Sequence, residues 1–149
     1  MSIFLLALLA CSPSSDDIAR NLVSPNPAVR IDTAKISRNF GSDAVEKALI
    51  GALDDEIEQV GVNAIESLAE LEAGQAVPAL VGLLAAEEAS PRVLRATVDA
   101  LGRLGDVAAV PTLISHLEAR EAPVPPLNVI WALGQLEDHR SLEVLSRLR

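Results

Sequence analysis

Leu101-Gly102-Arg103-Leu104-Gly105-Asp106, followed by Ala109-Val110-Pro111-Thr112-Leu113, is the most telling stretch of this chain. Around its first half, Val93, Ala96, Thr97, Ala100, Leu101 and Leu104 recur three and four apart, the spacing of one helix face. Gly105-Asp106 ends that helix, because Gly suits the left-handed exit conformation and Asp suits the cap of the next helix. Downstream, Val110, Leu113, Ile114 and Leu117 make the apolar stripe of a second helix. Pro111 falls in its first turns, where a missing amide hydrogen costs little. The stretch therefore encodes two helices joined by a tight turn.

Working outward, the same pattern returns. One block runs from Pro27-Ala28-Val29-Arg30 to Leu53, and a second from Val60 through Ala76-Val77-Pro78-Ala79-Leu80 to Leu84. The quoted stretch belongs to a third, and Ala132-Leu133-Gly134-Gln135-Leu136 opens a weaker fourth. The closing leucines Leu53, Leu84, Leu117 and Leu148 are 31, 33 and 31 residues apart. Small residues such as Ala64, Ala100 and Ala132 permit close helix approach. Stacked pairs can bury a continuous stripe that no single pair could cover alone. The periodicity predicts a half unit at 16–22 and four helix pairs, about nine helices in all. First helices are expected at 27–39, 56–71, 90–104 and 127–136, and second helices at 43–53, 75–85, 107–119 and 139–148.

These motifs resemble the HEAT-like repeats of the phycobilisome-lyase type over roughly residues 16–149. The resemblance implies an all-α fold, a short α-solenoid of helical hairpins. It also implies a right-handed superhelix with the second helices on its concave side. The pattern departs in places: Glu46-Lys47 stands where Val-Pro is usual, Leu71-Glu72-Ala73 replaces Leu-Gly-Asp, and Leu142-Glu143 replaces the last Val-Pro.

Composition agrees with a helical reading. Half of the 149 residues are apolar but only three are aromatic, which disfavours a sheet-based fold and disorder alike. A net charge of -9 disfavours non-specific nucleic-acid binding, which needs a positive footprint.

At the N-terminus, Ile3 to Ala10 is an unbroken apolar run, too short to span a bilayer as a helix. Leu8-Leu9-Ala10-Cys11 resembles the lipobox of a bacterial lipoprotein signal. That resemblance implies a signal segment at 1–10, a lipidated Cys11 and a linker at 11–15, with the chain at the outer membrane or in the periplasm. The alternative is an N-terminal stub with a chance cysteine and a cytoplasmic chain.

Charge is unevenly spread. Asp43 to Glu88 holds eleven acidic residues and one basic residue, Lys47. Asp54, Asp55, Glu56 and Glu58 lie at a junction between units, and Glu66, Glu70, Glu87 and Glu88 add to the same region. The group reads either as a docking patch for a partner with a basic surface or as a solvated acidic face. Its spacing is not that of a calcium loop. Arg92, Arg95 and Arg103 on one helix read as partners for nearby carboxylates. No Gly-rich loop accompanies them to favour phosphate.

The catalytic inventory is thin. His116, Asp138-His139 and a single Cys make no metal or nucleophile motif, and no cofactor is expected. Asp138 reads as a helix cap and Trp131 as packing against the preceding unit. The expected function is a non-enzymatic protein-interaction scaffold, tethered through Cys11. The alternatives are a bilin-lyase-like protein, as the resemblance implies, or an oligomer-assembly unit that self-associates through its C-terminal helix.

Overall fold

The computed structural model describes residues 13–86, 89–119 and 127–147. Among these residues all regular structure is helical. They form nine α-helices: α1 (Ser15–Leu22), α2 (Pro27–Ile36), α3 (Asp43–Gly51), α4 (Glu58–Glu70), α5 (Val77–Ala85), α6 (Pro91–Leu104), α7 (Val110–Ala119), α8 (Leu127–Gln135) and α9 (His139–Ser146). Short 3-10 turns extend α2 and α3 and precede α5 and α7.

The helices form two layers. In one, α2 packs on α4, α4 on α6 and α6 on α8. In the other, α1 packs on α3, α5 on α7 and α7 on α9. The protein is a short HEAT-like α-solenoid, with α1 as the half unit that covers the first pair. Its core runs the length of the stack: Ile18, Leu49, Ile65, Leu80, Leu101, Leu113 and Leu133 are fully buried. Each such side chain contributes about 1.5–3 kcal/mol over leaving it exposed.

Local sequence explains the helix starts. Asn26 caps α2 by accepting a hydrogen bond from the Ala28 N–H, with Pro27 as the first helical residue. Ser90 and Pro91 repeat that arrangement on α6. Pro78 and Pro111 each come after a 3-10 turn, as the second residue of α5 and α7. In the first unit, where Glu46-Lys47 replaces Val-Pro, Ser42 caps α3 through the Val45 N–H instead. Asp106 accepts from the Ala108 N–H at 2.8 Å, as its position after Gly105 suggests.

The turns between paired helices share one backbone demand. Gly105 leaves α6 at φ +70°. Glu72 and Glu137 take the equivalent places after α4 and α8 at φ +53° and +46°. At Glu72 the turn is a complete left-handed cap: the Ala73 N–H donates to Leu68 O and the Glu72 N–H to Ala69 O. The geometry of the Leu-Gly-Asp turn is thus retained where its glycine is absent, at the steric cost that a side chain carries there.

One close approach fixes the spacing of α6 and α8. A Cβ on Gly102 would sit 2.7 Å from the Trp131 ring and 2.9 Å from Ala132 Cα. Trp131 therefore lies over the preceding unit, while 43 % of it stays exposed.

Two substitutions test this. Glu72→Gly is expected to stabilise the protein by about 0.5–1 kcal/mol, because relief of left-handed strain exceeds the added chain entropy. Gly102→Ala is expected to destabilise it by about 1–3 kcal/mol through overpacking. Urea unfolding monitored by circular dichroism reads both.

Candidate functional site

The densest part of the acidic run lies where α3 hands over to α4, and the fold divides the described candidate carboxylates between two places. Asp54, Asp55, Glu56 and Glu58 line one groove of about 600 Å³, closed on the far side by Leu83, Ala89, Ser90 and Val93. Its floor includes Leu53 and Gly61. Glu66 and Glu70 lie further along α4, where Arg38 pairs with both, at 3.7 Å and 2.8 Å. Glu87 and Glu88 lie outside the described residues.

The four groove carboxylates are not equivalent. Asp55 is a structural anchor, largely shielded from solvent. Its two oxygens receive the Arg30 Nε and Nη2 at 2.6 and 3.0 Å, and both side chains are only about a tenth exposed. Arg30 also donates to Ser24 O at 2.8 Å and to Glu56 at 3.2 Å. Asp55 accepts from the Ile57 N–H at 2.9 Å, which satisfies the start of α4 where no residue caps it. The Arg30 guanidinium holds the Asp55 carboxyl below the usual carboxylate range, and Asp55 in turn raises Arg30.

The other three face solvent. Glu56 is 81 % exposed despite its contact with Arg30. Glu58 stands 3.5 Å from Arg92 of the next unit, and Asp54 is exposed. Arg92 also donates to Gln59 at 2.6 Å, and Gln59 to Asn63 at 2.7 Å. Arg92 thus finds carboxylate and amide partners in the second unit, as expected of it. The groove presents an outward row of carboxylates above apolar side chains, held in place by the buried pair beneath.

Two polar anchors were not anticipated. Asn63 donates to Ile31 O at 3.0 Å, and Ser67 donates to Ala34 O at 2.6 Å. Both lie on α4 and are buried against α2. The available signal was a pair of polar residues four apart within an apolar stripe, which need buried partners.

The remaining candidates are mostly structural. Asp138 caps α9 by accepting from the Arg140 N–H at 2.8 Å, and the Arg140 side chain lowers its pKa to about 2. His139 beside it is exposed. Among the described residues no group of three or more His, Cys, Asp or Glu side chains could hold a metal ion.

The family of HEAT repeats matches residues 16–90 and 83–149. The chain belongs to the HEAT-repeat family. No curated relative matches it. Among solved structures, it is similar to a chain in the complex of CpcE and CpcF of phycocyanin lyase from Nostoc sp. PCC7120. The two are 24 % identical with a TM-score of 0.72, over 93 % of this chain and 64 % of that one. This HEAT-repeat chain therefore spans a little under two thirds of the length of the protein it matches.

That likeness corrects two expectations. A non-enzymatic role does not follow from the repeats, because the same fold is carried by a chain of a phycocyanin lyase complex. The outer-membrane or periplasmic placement is also overturned. The finding against it is the fold match to that lyase complex. Separately, among the described residues no helix is long and apolar enough to cross a membrane, a fact that bears on no lipid anchor. The 1–10 segment and Cys11, on which lipid tethering was expected to rest, lie outside the described residues.

The buried pair is open to test. Arg30→Met is expected to lower the melting temperature sharply by leaving the Asp55 charge buried and unpaired. Adding Asp55→Asn is expected to recover much of the loss, because Asn removes the charge and still accepts from the Ile57 N–H. Thermal melts of the two variants and the parent decide it.

Proposed function

We propose that this HEAT-repeat protein is a subunit of a bilin-lyase-type assembly, in which the repeat stack docks a protein partner. The observation that carries this reading is the groove between the second and third units. Its exposed carboxylates Asp54, Glu56 and Glu58 surround the apolar Leu53, Leu83 and Val93. Such a surface suits a partner segment with basic residues around an apolar anchor, since complementary charge steers encounter and the apolar centre supplies affinity. The fold shared with a chain of the CpcE–CpcF complex supports both the lyase setting and a protein partner. HEAT arrays suit this work because their stacking layers leave an extended face available for binding.

A second contact is favoured at the C-terminal end, where Leu127, Trp131 and Leu142 are exposed on α8 and α9. A further helical chain, including a second copy, would cover them as each unit covers the one before it.

The test uses the full chain with an apo-phycobiliprotein and a linear tetrapyrrole. The expected result is a complex on sedimentation and a change in the visible absorption of the tetrapyrrole. Asp54→Lys is expected to weaken complex formation by roughly tenfold, as is a large rise in ionic strength. Absence of both the complex and the absorbance change would end the lyase-type reading.

A further inference from the structure

A different cleft lies across α6 from the acidic groove. It encloses about 440 Å³ and is walled by the first turns of α6, by α7 and by the start of α8. That volume is within the range of small-molecule sites, roughly 300–1,000 Å³. Val98 lies four residues after Leu94 and three after Arg95, so this side of α6 brings two apolar residues and a guanidinium to the same wall. Arg92 lies one turn earlier, His116 comes from α7 and Asn128 from α8.

The chemistry of this lining is the reverse of the acidic groove's. In a chain of net charge -9, the cleft holds two arginines and a histidine, and no acidic side chain among the described residues lines it. Arg92 is positioned by Gln59 and Glu58, which leaves part of its fork of donors for another acceptor. Asp99, one turn beyond Arg95, lies outside the lining.

We infer that this cleft binds an organic acid, with the oxyanion held by Arg95 and Arg92 and its apolar body laid against Leu94 and Val98. Guanidinium groups bond oxyanions through paired N–H donors, and Asn128 offers an amide to orient the ligand. The assignment does not rest on partner docking, although the Arg92–Glu58 contact joins the cleft to one carboxylate of the acidic groove.

Isothermal titration of the full chain tests it with three probes of one shape: 1-naphthoate, 1-naphthyl phosphate and the neutral 1-naphthalenemethanol. At least one acid is expected to bind saturably, one per chain, and the alcohol roughly tenfold more weakly or worse. The tighter acid shows whether the cleft prefers carboxylate or phosphate. Arg95→Glu is expected to weaken acid binding by about tenfold or more, whereas Arg103→Glu, on the same helix but outside the lining, leaves it unchanged. Circular dichroism establishes that both variants are folded, and Arg95→Gln replaces the first if it is not. No saturable binding of either acid, equal binding of the alcohol, or equal effects of the two charge reversals would overturn the inference.

Discussion

The structure depends on how closely each first helix can approach the next. Along this layer of α2, α4, α6 and α8 the contacts reach backbone range, at Gly102 against Ala132 and at Ser67 reaching Ala34 O. Dispersion falls off steeply with separation, so a layer held this tightly gains far more contact than one spaced by large side chains. The second-layer helices then need only present an apolar stripe to that spine. This is why Leu49, Leu80 and Leu113 are fully buried although their helices are short.

Charge is ordered by the same stacking. Neighbouring units place Arg30 against Asp55, Arg38 against Glu66 and Glu70, and Arg92 against Glu58. Only the first is buried, and it resists replacement of one partner because the other would be left as an uncompensated charge. The more exposed pairs contribute little to stability, since water screens them. Their effect is on the surface: acid neutralised along α4 leaves the outward carboxylates concentrated in the groove beside Leu53. On the other side of α6, arginines gather where no described acid lines the cleft. A chain that is acidic overall therefore carries two recesses of opposite character, an acidic groove and an arginine-lined cleft.

Much of this was legible in particular residues. The helix-start prolines, the Asp106 cap and the Gly105 turn each act over a few residues, and helix order and boundaries agreed to within a residue or two in most cases. Asp138 as a cap was equally local. The acidic groove was half legible: the run at 54–58 was visible, but not that Asp55 turns inward while Glu56 turns out. Glu66 and Glu70 looked like part of the same patch and belong instead to the contact with Arg38. The basic cleft was hidden, because His116 and Asn128 are far from Arg95 in the chain.

Sequence by itself determined the helices, their number and their pairing, since capping, periodicity and turn conformation are properties of neighbouring residues. It also carried the repeat family, because stacking imposes the same small and apolar residues at each turn of the cycle. Tertiary structure alone decided which charges are buried, which are paired and which line a groove or a cleft. Those outcomes depend on distances between residues far apart in the chain, such as Arg30 with Asp55, 25 positions apart, or Ser67 with Ala34, 33 apart, and no local pattern records them.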